Sequence, residues 1–548
     1  MKYFFILILL IVFTPEYLFG QTDVTFDTSD EYYLRILQIT GMSEDQSSHL
    51  IRPYSFNSSS FTPPIQTKLE YNRESYFRFS ERSGINFFEP VWFQSYNTSL
   101  PRGVNDGALW QGRGYNTAIS AGVKGIFGPL HVRFRPIIGL AQNLSYDLGP
   151  YPSFNEQNYS YRLTRIDYVQ RYGDSSYKWA NLGDSSVELR GYGLRTGFSN
   201  QRVWTGPAVY NPLIYGYNAP GFLHFHVTSD GPINTRVGNF EFSYLYGGLR
   251  VSDYFEGIAE NNLTSVKSFI FSYTPSFAEG LSFGAIRVFQ DNWPSSFSEI
   301  GSELTKIFEP FLKSELVTED SPRGADADNQ MATVFARWYF KDAGFDVYFE
   351  YGRNDHNFEG KDFRTIPNHH RAYILGFIKA FHIKNNRLLT INYEMNQHEP
   401  TRSALILGGV NLSWHPHGGQ RQGFTNRGQI IATGHGPGNN IQTIASQLFG
   451  NSYNFGLRLS KITFHNGRLY NNFATIQEAN SMNINPYEVR NTELLLGIQF
   501  SKLLSNSYEL LFAIDQSYIL NQHYIYKNDI YNARFEITVR KRIDGWLR

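Results

Sequence analysis

The feature that most limits what this chain can fold into is a short alternating segment that recurs along most of its length. Leu389, Ile391, Tyr393 and Met395 alternate with Thr390, Asn392, Glu394 and Asn396. Phe345, Val347, Phe349 and Tyr351 alternate with Asp346, Tyr348, Glu350 and Gly352. Phe535, Ile537 and Val539 alternate with Arg534, Glu536, Thr538 and Arg540, and Leu130, Val132 and Phe134 with His131, Arg133 and Arg135. Successive side chains on a strand point to opposite faces, so each segment has one apolar face and one polar face. A half-buried soluble sheet has the same alternation, and one segment decides nothing. Number and spacing decide more. From about residue 85 onward there are roughly sixteen to eighteen segments of about 8–12 residues, the length a tilted strand needs to cross a bilayer.

The connections alternate too. Tight turns recur at Phe127-Gly128-Pro129, Glu279-Gly280, Asp342-Ala343-Gly344, Lys384-Asn385-Asn386 and Ser505-Asn506-Ser507, while 143–183 and 399–450 are long and polar. Short turns on one side and long loops on the other are the asymmetry of an outer-membrane barrel. Closure also removes the sheet edges that so many strands would otherwise expose. Aromatics at segment ends, Trp338-Tyr339-Phe340 and Tyr524-Ile525-Tyr526, suit interfacial girdles. The expectation is an all-β fold, a transmembrane antiparallel barrel of about 18 strands (16–18). An extracellular sandwich, propeller or solenoid is the alternative, and no fixed-period repeat supports the last two.

Composition narrows the function. The chain has no cysteine, which excludes disulfides, thiolate metal sites, a Cys nucleophile and a lipidated Cys. Its 49 Lys plus Arg cancel its 49 Asp plus Glu, leaving no basic footprint for nucleic acid. With 45 Phe, 37 Tyr and 8 Trp it is too aromatic for a disordered chain. Mean hydropathy is −0.37, which excludes helical spanning but not a barrel, where every second residue can be polar.

At the N-terminus Lys2 precedes an apolar run over 3–13, then Pro15 and Gly20, the layout of a secretory signal peptide cleaved before Gln21. Residues 1–20 are therefore expected to be removed on export. Residues 21–85 are expected to form a periplasmic helical or irregular segment, because 29–42 carries Tyr32, Leu34, Ile36 and Leu37 on a helix-like pattern ended by Gly41. The barrel is expected over 86–548. It carries a helical insertion at about 297–317, where Ile300, Leu304, Ile307, Phe308 and Phe311 fall at helical spacing.

Two regions are dense in amides, arginines and aromatic rings. The first, 183–250, contains Asn200-Gln201-Arg202-Val203-Trp204, Asn211-Pro212, Asn218-Ala219-Pro220 and His224-Phe225-His226. The second runs from Trp414-His415-Pro416-His417 through Gln420-Arg421 and Asn426-Arg427 to Asn440. Sugar hydroxyls need amide, Arg or carboxylate partners, while the C–H face of the ring stacks on an aromatic side chain. On this chemistry the expected polysaccharide contacts are Trp204, Asn211, Asn218, His224, Trp414, His417, Arg421 and Arg427. Trp204 and Trp414 are equally compatible with girdle positions. Glu188, Arg190, Arg195, Arg236, Arg250 and Glu350 are expected to satisfy one another as a polar network in the lumen.

The His224/His226, His415/His417 and His369/His370 pairs lack a visible third ligand, so no metal or cofactor is expected. Gly434-His435-Gly436-Pro437-Gly438 lacks the Lys-Ser/Thr of a phosphate loop. No nucleophile elbow is visible, and the expectation is a binding protein rather than an enzyme.

The dense regions and their neighbours resemble the capsule assembly protein Wzi family. The resemblance is carried by Trp110-Gln111-Gly112-Arg113-Gly114-Tyr115-Asn116, Trp204-Thr205-Gly206-Pro207 and Asn218-Ala219-Pro220-Gly221-Phe222. It continues through Gly238-Asn239-Phe240-Glu241, Asp328-Asn329-Gln330, Glu350-Tyr351-Gly352 and Gly423-Phe424-Thr425-Asn426-Arg427-Gly428. It implies an outer-membrane barrel of about eighteen strands with a small helical portion on the periplasmic side. It also implies a lectin-like role, holding exported capsular or other surface polysaccharide at the cell surface. Partners are then the polysaccharide and outer-membrane lipids, with no nucleic acid and a monomeric barrel. An outer-membrane hydrolase of lipid or glycan, or a diffusion porin, is the competing reading.

Overall fold

The computed structural model describes residues 21–23, 28–43, 45–53, 55–57, 77–80, 83–148, 159–160, 166–255, 263–296, 299–301, 304, 329–354, 371–385, 387–399, 414–465, 480–483, 485–505 and 508–541. The signal-peptide region 1–20 lies outside them, as does most of the expected helical insertion, of which 299–301 and 304 are helical.

Eighteen antiparallel strands close into a barrel. They are β1 (Ser83–Asn97), β2 (Gly114–Phe127), β3 (Leu130–Phe134 and Ile137–Ala141), β4 (Tyr177–Asn181 and Ser186–Gly191), β5 (Leu194–Ser199) and β6 (His224–Ser229 and Ile233–Thr235). Then follow β7 (Gly238–Arg250), β8 (Leu263–Pro275), β9 (Leu281–Asn292), β10 (Asn329–Phe340), β11 (Phe345–Asn354) and β12 (Arg371–Ile383). The last six are β13 (Arg387–Gln397), β14 (Asn440–Phe449), β15 (Tyr453–Thr463), β16 (Thr492–Ser505), β17 (Tyr508–Leu520) and β18 (Ile530–Lys541). β18 returns to β1, from Arg534 opposite Asn97 to Arg540 opposite Val91, so no edge is left. β3 is broken at Pro136, which has no N–H to donate, and Gly183 in the gap of β4 faces the Arg135 carbonyl at φ +59°. A Cβ at Gly183 would collide with that carbonyl oxygen.

The barrel is inside-out relative to a soluble sheet. Thr390, Asn392, Glu394 and Asn396 are at most 1% exposed, while Phe349, Leu375, Ile444, Leu459 and Leu494 are 40 to 49% exposed. The polar face of each strand lines the lumen and the apolar face looks outward, which is the arrangement lipid requires. No helix among the described residues is long and apolar enough to cross a membrane.

The lumen is packed. Helix α1 (Thr28–Ile39) lies inside it, and every residue from Glu31 to Ile39 is buried. The helical pattern over 29–42 thus corresponds to a helix that docks into the lumen. A helix carrying Glu31, Arg35 and Gln38 reads as half-solvated, but here each polar group finds a partner across the lumen, and Gln38 Oε1 accepts from Arg337 Nη1 at 2.7 Å. Arg35 Nε donates to Asp346 Oδ2 at 2.8 Å, and Tyr217 Oη donates to Glu31 Oε1 at 2.6 Å. Gln38 Nε2 donates to the Ser47 carbonyl at 2.9 Å. The segment after α1 pairs Ile51–Arg52 with Trp204–Thr205 of the β5–β6 connection. That connection and 414–439 both fold inward, so Ile36, Leu37, Leu213, Ile214, Tyr215 and Phe424 share one apolar core with the strands.

Candidate functional site

The inward loops are held by strand carboxylates. Glu394 on β13 accepts the backbone N–H of Val209 at 2.6 Å and of Asn211 at 3.0 Å, and the Tyr348 hydroxyl at 2.9 Å. Asp346 on β11 lies 2.8 Å from both Arg35 Nε and Arg337 Nε. Paired and hydrogen-bonded charges of this kind are tolerable in a dry interior, and losing either partner is costly. Neither cluster is legible in the sequence, because Arg35 and Val209 reach these carboxylates from segments 311 and 185 residues away.

Most of the residues expected to touch sugar are in this packing. Trp204 is fully buried, with the Arg52 guanidinium 4.7 Å over its ring and Tyr217 edge-on at 5.1 Å. Trp414 is buried and donates its Nε1–H to the Leu213 carbonyl at 2.8 Å. Asn211 accepts from Thr433 Oγ1 at 3.2 Å, and His224 Nδ1 lies 2.8 Å from the Phe222 carbonyl. His417 is buried and its Nδ1 accepts the Gln420 N–H at 2.9 Å. Arg421 and Arg427 are exposed. Asn218 is the one of the eight that lines the cavity described below.

Of the six residues expected in a lumen network, Glu188 and Arg190 pair at 2.7 Å, and His226 Nε2 lies 3.5 Å from Glu188. Arg195 donates to the Pro53 carbonyl at 2.7 Å, and Glu350 accepts from Thr333 Oγ1 at 3.1 Å. Arg236 and Arg250 are exposed and stand outside the network.

An open cavity of about 160 Å³ lies at the long-loop end of the barrel. It is built from the β1–β2 connection, from Tyr146 and Tyr168–Gln170, from Gln429, Gly434 and His435, and from the β17–β18 connection. Trp110, Tyr146 and Tyr168 supply aromatic surface, and Arg102, Asp106, Gln111, Asn218, His435 and Glu493 supply polar groups. Trp110 packs edge-on against Tyr172 at 4.8 Å, and the ladder continues through Tyr177 at 4.4 Å to Trp179 at 5.6 Å. Arg102 is ion-paired with Glu493. Asp106 accepts from Gln111 Nε2 at 2.7 Å, and burial pushes its carboxyl up to about 6. Burial, with the Arg102 and Arg458 cations nearby, pushes the His435 imidazole down to about 3, so it is neutral at pH 7. Among the described residues no group of three or more His, Asp or Glu could hold a metal ion. Flat rings beside polar groups suit a polyhydroxylated ring.

Of the cavity residues only Asn218 is among the sugar contacts expected from the sequence. Trp110 and Gln111 open the string that carries the family resemblance, and that string was the available signal.

No protein-family model matches the chain, and no curated protein does. Among solved structures the barrel matches Wzi, described as an outer membrane protein involved in Group 1 capsule assembly in Escherichia coli and a carbohydrate-binding beta-barrel. The match has a TM-score of 0.59 at 11% identity and covers 95% of this chain and 99% of that one. The chain has the Wzi barrel fold. The family resemblance in the sequence strings and the structure thus agree on architecture. OprD of Pseudomonas aeruginosa matches with a TM-score of 0.39 at 10% identity over 85% of this chain and 95% of that one. OccAB4 of Acinetobacter baumannii matches with 0.40 at 11% identity, over 85% of this chain and all (100%) of that one. The Wzi-type match therefore extends over nearly the whole chain.

Proposed function

We propose that this protein is an exported outer-membrane barrel, monomeric in the lipid, that binds capsular or other surface polysaccharide without covalent chemistry and helps to assemble or retain it. The observation that carries this reading is the combination of a packed lumen with an aromatic, hydroxyl-seeking cavity at the long-loop end. A core of side chains from α1, both inward loops and the strands leaves the barrel suited to binding at its rim rather than to passage through it. The long-loop end faces outward in barrels of this type, where a surface polymer is met. Wzi, which has the same fold, is described as carbohydrate-binding and as involved in capsule assembly.

Retention does not require a tight single site. A polymer repeats its epitope, and many barrels in one membrane engage it together, so modest affinities sum to firm attachment. The test is a pull-down of surface polysaccharide from the source strain by the purified barrel in detergent micelles. The expected result is saturable binding. Binding no greater than that of an unrelated barrel, together with stepwise ion conductance in planar bilayers, would replace this reading by a porin.

A further inference from the structure

We infer that the long-loop cavity is a pocket for one neutral sugar ring, presented by a chain end or a single-sugar branch. This rests on the polysaccharide reading above and names the chemistry of its ligand. Size sets the first limit. Sites for drug-sized ligands run to roughly 300–1,000 Å³. At about 160 Å³ the pocket has room for one ring and not for a run of polymer.

Charge sets the second limit. The arginines around the pocket are already engaged: Arg102 with Glu493, Arg202 with Asp184 at 3.0 Å, and Arg534 with Asp515 at 3.1 Å. The one carboxylate whose described partner is only an amide is Asp106, held by Gln111. A uronic acid entering the pocket would bring a second carboxylate toward Asp106, and the three arginines just named are already paired.

Hydrogen-bonding capacity sets the third. Asp106 Oδ1 and Asn218 Oδ1 carry no hydrogen bond among the described residues, yet neither is a fully buried atom. Both are acceptors, and neutral His435 adds one acceptor and one donor. A lining rich in open acceptors seeks donors, and the hydroxyls of a sugar ring are donors that carry no charge. Gly434 keeps one acceptor clear, since a Cβ there would stand 2.5 Å from Asn218 Oδ1. Trp110 and Tyr168 offer the flat surface for the ring's C–H face.

The experiment is competition in the polysaccharide pull-down, using methyl glucoside, methyl galactoside, methyl mannoside and glucuronate as probes. The proposal expects at least one neutral glycoside to displace the polymer at a concentration about tenfold below that needed for glucuronate, the size expected of one partly screened like-charge contact. Asp106→Asn should narrow that ratio by improving glucuronate, and Gly434→Ala should weaken the neutral glycoside. Heat-modifiable gel migration, which reports a folded barrel, keeps a misfolded variant from being read as a result, and the wild-type ratio stands without any variant. Polymer binding in which glucuronate competes as well as the neutral glycosides, or in which none of the probes competes, overturns the pocket assignment and leaves the polysaccharide reading standing. Absence of polymer binding overturns both.

Discussion

Two regions of this barrel hold the same kinds of residue and use them differently. In the lumen, Trp204 and Trp414 lie among arginines, amides and carboxylates, and so do Trp110 and Tyr168 in the long-loop cavity. In the lumen many polar groups are spent on one another: Trp414 on the Leu213 carbonyl, Asn211 on Thr433 and Glu394 on the backbone of the β5–β6 connection; those left over, such as Asp346 Oδ1 and Glu350 Oε2, are sealed inside the packing. In the cavity Asp106 and Asn218 each retain an open oxygen beside exposed ring surface. What separates packing from a binding site is therefore hydrogen-bonding capacity that a ligand can reach, not residue type. A buried group with its partners supplied adds stability, whereas an accessible group with capacity left over is available to a ligand.

The comparison breaks most visibly in the lumen. Asp346→Ala leaves Arg35 and Arg337 buried without their carboxylate, and it is expected to destabilise the folded barrel by about 3–5 kcal/mol. Denaturant unfolding measures this, and an unchanged midpoint would contradict the role given to the cluster. Trp204→Ala removes a fully buried indole from between Arg52 and Tyr217, at a similar cost of about 3–5 kcal/mol. Neither residue lines the cavity, so the folded fraction of either variant should bind polysaccharide with wild-type affinity.

Acid supplies a graded version of the same test. Burial, with Arg337 and Arg35 nearby, pushes the His49 imidazole down to about 4 against the opposing pull of Asp45. Between pH 6.5 and 4 the undocked segment takes up a proton that the docked one refuses, so stability is lost as the pH falls through that window. One buried histidine contributes about 3 kcal/mol over that range. Indole fluorescence across a pH titration should show the lumen core loosening in that range, and His49→Gln should reduce the response by the share of one buried histidine, since His435 is also held neutral and contributes with the same sign. A wild-type signal constant from pH 7 to 4 would count against the docked placement of His49.

The strands were legible because alternation is local, and the count of sixteen to eighteen segments agrees with the barrel of 18 strands. The helix was legible for the same reason, through Tyr32, Leu34, Ile36 and Leu37. Its place in the lumen was not, because Arg35 meets Asp346 and Glu31 meets Tyr217 across gaps of 311 and 186 residues. The same limit governed the site. Trp204 and Asn211 have the right chemistry for sugar, but whether that chemistry is already spent depends on contacts made by closure of the barrel. Trp110, Asp106 and His435 are scattered over more than 300 positions of sequence and meet only when the long connections converge. The Trp110–Asn116 string was visible as a resemblance, yet nothing local distinguished it from the denser regions, most of which are packing while Asn218, Gln429, Gly434 and His435 line the cavity.

The smallest expected effect is also the most direct test. Trp110→Ala removes ring surface from the cavity and its packing on Tyr172 but leaves the lumen core untouched, so it should destabilise the barrel by less than Trp204→Ala. Polysaccharide binding should weaken about tenfold, the loss of one stacking platform worth roughly 1–1.5 kcal/mol. Equal binding by Trp110→Ala and wild type, with Trp204→Ala weakened instead in its folded fraction, would place the site in the packed lumen and contradict the assignment to the long-loop cavity.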